Sequence, residues 1–127
     1  MPTCSYEYAI IRVMPRVERQ EFINVGILLA CQSKRYLEAR IEWDPLRLKA
    51  FAPQLDLDLL KDYLDTIPLI CQGQGQLGNL PQRERFHWLV APRSTMIQLS
   101  PIHSGVCDNP DDMMNDLMNK LVRVMRN

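Results

Sequence analysis

Tyr6-Glu7-Tyr8-Ala9-Ile10-Ile11-Arg12-Val13-Met14, followed by Glu21-Phe22-Ile23-Asn24-Val25-Gly26-Ile27-Leu28-Leu29-Ala30-Cys31-Gln32, sets the architecture of this chain. The first run is rich in aromatic and β-branched residues and is stopped by Pro15, which reads as a strand. Alternation puts Tyr6, Tyr8, Ile10, Arg12 and Met14 on one face and Glu7, Ala9, Ile11 and Val13 on the other. The second run is apolar on both faces, the pattern of a central strand. Polar residues 15–20 reverse the chain between them.

Beyond this pair, Ser33-Lys34-Arg35 reads as a turn, and residues 36–43 alternate cleanly, with Leu37, Ala39, Ile41 and Trp43 on one side. That is a third, half-exposed antiparallel strand, and short connections make a meander the simplest topology. Residues 46–54 read as irregular or a single helical turn. Asp56 caps a helix in which Leu57, Leu60, Leu64 and Ile67 recur at helical spacing, and Pro68 is expected to end or kink it. Residues 71–79 read as a loop, and 81–90 suit a helix with Pro81 in its first turn. Residues 95–100 suggest a fourth strand. The last helix is the clearest, with Asn109 as cap, Pro110 next, and Asp111 and Asp112 at the positive end of the dipole. Met113, Leu117, Leu121 and Val124 form its stripe, widened by Met114, Met118 and Met125. The expected fold is α+β, a small antiparallel sheet of about four strands opening as a meander, packed against two or three helices including the C-terminal one. One domain over residues 1–127 is the expected organisation.

Composition narrows the function classes. Of 127 residues, 46% are hydrophobic and 24% charged, which argues against disorder. Fifteen basic residues balance fifteen acidic ones, so nucleic-acid binding is not expected. There is no signal-peptide pattern, and the longest nearly apolar run, residues 25–31, is far too short for a membrane helix. Cys4, Cys31, Cys71 and Cys107 include no Cys-x-x-Cys pair and read as reduced thiols of a cytoplasmic protein.

Gly73-Gln74-Gly75-Gln76-Leu77-Gly78 matches G-x-G-x-x-G literally, but dinucleotide binding needs a strand before the glycines and a helix running on from them. Asn79-Leu80-Pro81 interrupts that helix, so the run is read as a loop and no cofactor is expected. His87 and His103 belong to no metal-ligand spacing, and no metal is expected. His103 with Cys107 could form a thiolate pair, although nothing supplies a third orienting group. Arg83, Arg85, His87, Trp88 and Arg93 form a basic segment whose simplest reading is pairing with acidic side chains, with Trp88 in the core.

Two groups remain as candidate binding surfaces. Arg93, Ser94, Ser100 and His103 place donors along the fourth strand and its exit. Arg12, Asn24 and Gly26 could floor a pocket on the opening strands, since an arginine and an asparagine there need partners. The competing structural reading is an internal salt bridge, for example Arg12 to Glu21, together with a β-bulge at the glycine.

Residues 8–15, the run Glu18-Arg19-Gln20-Glu21-Phe22-Ile23-Asn24-Val25-Gly26-Ile27, the run Arg85-Phe86-His87-Trp88-Leu89-Val90-Ala91-Pro92-Arg93-Ser94-Thr95, and residues 100–105 together resemble an uncharacterised bacterial family, domain-of-unknown-function family thirty thirty-seven. The resemblance covers nearly the whole chain and implies no catalytic residues. Genes of that family often lie beside genes for HipA-like kinases, which implies such a kinase as a partner. The favoured function is therefore a non-enzymatic interaction or regulatory module, to which methionines of the last helix could lend an adaptable surface, although core packing is the better reading for most of them. Its partner would be a HipA-like kinase or a second copy in a homodimer. The alternative is a small hydrolase or nucleotide- or anion-binding enzyme built on the Arg93–His103 segment.

Overall fold

The structure is a computed structural model that describes residues 3–92 and 95–123. Five strands form one antiparallel sheet: β1 (Cys4–Val13), β2 (Ile23–Cys31), β3 (Tyr36–Ile41), β4 (Ile97–Leu99) and β5 (His103–Cys107). Strand order is β3-β2-β1-β4, and β5 also pairs with β1. The opening meander is therefore present, with β2 central and buried on both faces. Each of its two connections is a 3-10 turn closed by a left-handed residue, Val17–Arg19 by Gln20 and Gln32–Lys34 by Arg35.

The far edge is where the expected fourth strand becomes two. Ile11 faces Leu99 while Tyr8 faces His103, so three steps along β1 are matched by four on the opposite side. Ser100 and Pro101 sit in this jog. Proline cannot donate to a ladder. The Ser100 hydroxyl, 2% exposed, closes the gap by accepting from Ile10 N at 2.8 Å and donating to Pro101 O at 2.9 Å. β4 and β5 are thus one strand broken by a local register change, too polar and too short for alternation alone to reveal its second half.

Helices cover both faces. On the face of Ile11, Val13, Val25 and Leu28 lie α1 (Pro45–Phe51), α2 (Leu57–Cys71) and α3 (Gln82–Val90), around the core residues Leu48, Leu60, Leu64, Phe86 and Leu89. On the other face α4 (Pro110–Leu121) buries Met114, Leu117 and Met118 against Ile10, Ile27 and Leu29. Each fully buried side chain of this size contributes roughly 1.5–3 kcal/mol.

α1 is a full helix where the sequence suggested at most one turn, because Asp44 caps it by accepting from Leu46 N and Pro45 occupies the first turn. α4 begins as expected, with Asn109 Oδ1 accepting from the amides of Asp111 and Asp112. Met114 and Met118 are fully buried, so these methionines are core rather than a partner surface. Val124 and Met125 of the expected stripe lie outside the described residues.

Of the two expectations at Pro68, an end or a kink, the structure overturns the end. The helix runs through it to Cys71, with Ile67, Ile70 and Cys71 buried. The guanidinium of Arg85 accounts for the extra turn: it donates to Ile70 O at 2.9 Å, to Cys71 O at 2.8 Å and to Leu80 O at 2.9 Å. A buried cation at the negative end of a helix satisfies carbonyls that would otherwise be orphaned.

Candidate functional site

The opening strands carry a β-bulge where Gly26 suggested one. Ile11 faces Gly26 and Arg12 faces Asn24, leaving Val25 as the extra residue of β2. The bulge puts Gly26 on the Ile11 face, where a side-chain Cβ would lie 2.6 Å from Arg40 O and 3.2 Å from Ile11 Cδ1. Asn24 lies on the opposite, α4 face. The proposed floor of Arg12, Asn24 and Gly26 is therefore split across the sheet, because one inserted residue breaks the two-residue period.

Arg12 does not pair with Glu21, which is bound to Arg19 instead. Its guanidinium stacks over the Phe22 ring at 4.1 Å, a cation–π contact. Its Nε is buried without a hydrogen-bond partner, and desolvation lowers its pKa. Asn24 donates to Leu121 O at 3.0 Å, fastening β2 to the last turn of α4, while its Oδ1 lacks a partner. These two residues lie beside one another across the β1–β2 pair.

Of the second expected group, only Ser100 and His103 are among the described residues, and each is engaged separately. Ser100 is occupied in the β1–β4 jog, and His103 is exposed and stacked on Tyr8 with ring centres 5.2 Å apart. His103 faces Tyr8, four residues from Arg12 along β1, or roughly 14 Å at strand rise. Arg93 and Ser94 lie outside the described residues. Among the described residues, no group of three or more His, Cys, Asp or Glu is placed to hold a metal. The glycine run follows a helix, α2, rather than a strand, and leads into a 3-10 turn, Gln76–Asn79. Gly73 and Gly75 have φ of 83° and 79°, and Gly78 packs directly on the Gly73 backbone, so the glycines close a tight loop. In the basic segment, Arg83 pairs with Glu7, whereas Arg85 takes backbone carbonyls rather than a carboxylate.

An apolar concavity lies elsewhere. A groove of about 590 Å³ runs between α2, α3 and β4, lined by Leu59, Tyr63, Ile67, Trp88, Met96 and Ile97 among others. It exists because the helical layer covers β1 to β3 and leaves the inner face of edge strand β4 partly open. Leu59, Tyr63 and Trp88 are 40%, 50% and 41% exposed. Large apolar side chains gathered at that exposure mark a binding surface more often than isolated ones do. A further hollow on the other side of Trp88 is lined by Leu69, Gln74 and Leu77.

Sequence reasoning missed this groove and placed Trp88 in the core. The signal was present in α2, where Leu59, Tyr63, Thr66 and Ile70 form a second stripe at helical spacing beside the core stripe of Leu60, Leu64 and Ile67. Two adjacent stripes make a helix too apolar for one interface.

Acidic residues stand near the groove without lining it. Asp62 lies one turn from Leu59 and from Thr66 on α2, Asp58 one turn before Asp62, and Glu84 one turn before Trp88 on α3. None of the three makes an ion pair among the described residues, whereas Lys61 is held by Asp65 and Arg83 by Glu7. No described helix is long and apolar enough to cross a membrane.

Comparison with curated proteins and with solved structures finds no match. A family model described as "Protein of unknown function (DUF3037)" matches residues 8–122, spanning the sheet, all four helices and the groove, and the chain belongs to that family.

Proposed function

We propose that this chain is a non-enzymatic protein-interaction module that receives an amphipathic helical segment of a partner protein in the groove between α2, α3 and β4. The observation that carries this reading is the apolar groove with Tyr63 and Trp88 half exposed in it. Aromatic anchors in a concave apolar surface are the usual energetic centre of a protein interface. Asp58, Asp62 and Glu84, on the same two helices outside the lining, favour an occupant carrying Lys or Arg beside its apolar stripe.

A HipA-like kinase is the first partner to test, and a second copy of this chain the next. Co-expression with such a kinase, followed by size-exclusion chromatography and titration calorimetry, reads the interaction directly. Trp88→Ala and Tyr63→Ala are expected to weaken the complex at least 30-fold, the effect of losing an interface anchor. Both variants should keep the wild-type melting profile to within a few degrees, because the side chains are half exposed. A complex that survives both substitutions at full affinity, or no kinase complex and no concentration-dependent self-association, overturns the reading.

A further inference from the structure

Cys4, Cys31 and Cys107 are far apart in sequence yet form one buried cluster, side by side on β1, β2 and β5, against Tyr6, Tyr36 and Met113. Cys4 and Cys107 are direct cross-strand partners with sulfurs 3.5 Å apart. Directly opposed residues in an antiparallel pair have Cα atoms about 4.5–5.5 Å apart, within the window that a disulfide spans. Bringing the sulfurs to bonding distance needs side-chain rotation, with the backbone already in place.

The surroundings separate the thiols. Cys4 interacts with Cys31, is desolvated, and touches Cys107, and together these push its pKa up to about 12. Burial works against the Cys31 thiolate, but hydrogen bonds from Cys4, Ser33 and the Lys34 backbone outweigh it and lower its pKa. Cys4 and Cys107 are buried, 5% and 7% exposed; a cleft at this end of the sheet touches Cys4, and the Ser33 hydroxyl lies 3.6 Å from the Cys31 sulfur.

We infer that Cys4 and Cys107 are a modification site, a dithiol that a small-molecule disulfide converts reversibly to a cross-strand disulfide. One protein sulfur attacks the small disulfide, forming a mixed disulfide and releasing one thiolate. The second protein sulfur then attacks the mixed disulfide, forming the Cys4–Cys107 bond and releasing the second thiolate. Two protein thiols are oxidised, one small disulfide is reduced to two thiols, and two protons leave the protein. The new bond ties β5 to β1 immediately before the Asn109 cap of α4.

The test equilibrates the reduced full-length chain with oxidised glutathione, blocks remaining thiols and maps the peptides by mass spectrometry. The expected result is a peptide pair joined through Cys4 and Cys107, free thiols falling from the four of the reduced chain to two, and a melting temperature raised by roughly 5–15 °C. Cys31→Ala should leave the same linked peptides. Dithiothreitol should restore the reduced melt. Four free thiols at equilibrium, a glutathione adduct that never resolves, or a linkage through other cysteines overturns the assignment. The mapping uses the unmodified chain, so the result stands even if a cysteine variant fails to fold.

Discussion

Gly26→Ala places one methyl group at the tightest point of the opening hairpin. Its Cβ would lie 2.6 Å from Arg40 O, 3.0 Å from Ile41 Cγ1 and 3.2 Å from Ile11 Cδ1. The nearest of these is backbone, and Arg40 is held in the β2–β3 ladder opposite Ile27, so the carbonyl retreats only if the pairing distorts. Overpacking of this kind costs about 1–3 kcal/mol. Alanine also restricts the unfolded chain, which returns about 0.4–1 kcal/mol. The net loss is about 1–2 kcal/mol, and urea denaturation should show the midpoint falling by about 0.5–1 M with little change in slope. Adding Ile41→Val trims a side-chain contact but leaves Arg40 O in place, so it should not restore the midpoint. An unchanged midpoint for Gly26→Ala, or full rescue by Ile41→Val, would show that the backbone approach at the bulge is not what selects glycine.

Arg85→Met removes the donor from three carbonyls and should cost about 2–4 kcal/mol in denaturant unfolding, with hydrogen exchange accelerated first in residues 69–72. Ser100→Ala leaves Ile10 N without its acceptor in a buried ladder and should cost about 1–3 kcal/mol, while leaving partner affinity within twofold. Alkaline pH offers a further check. Burial pushes the Cys71 thiol from its ordinary 9.0 up to about 12, so the unfolded chain releases this proton before the folded one does. That contribution is fully present below pH 9 and is lost as pH rises toward 12, by at most about 1.4 kcal/mol per unit. Cys71→Ala should flatten the decline of stability over that interval, and an identical slope in the variant would contradict it.

The elements legible beforehand are those whose cause is local. β1 and β3 alternate every second residue, the cap of α4 is written in Asn109-Pro110-Asp111-Asp112, and the core stripe of α2 repeats at helical spacing. The glycine run was rejected as a cofactor motif on context that lies within a few residues, and the structure places α2 before it. The sequence left alternatives open where a distant group intervenes. Pro68 on its own is expected to end or kink a helix, and Arg85, seventeen positions later, decides against the end by holding the next turn in place.

Sequence by itself determined the meander, the bulge glycine and both helix caps, because periodicity and capping act over a few neighbouring residues. Only the tertiary structure decided what Arg12 meets, on which face Gly26 lies, and where a groove opens. A single inserted residue, Val25, turns Asn24 and Gly26 to opposite sides, and no period counted along the chain contains that offset. The groove is likewise a remainder, formed where three helices stop short of the inner face of β4. Such a remainder depends on how far packed elements reach across a sheet, a quantity that belongs to the assembled layers and not to any one of them.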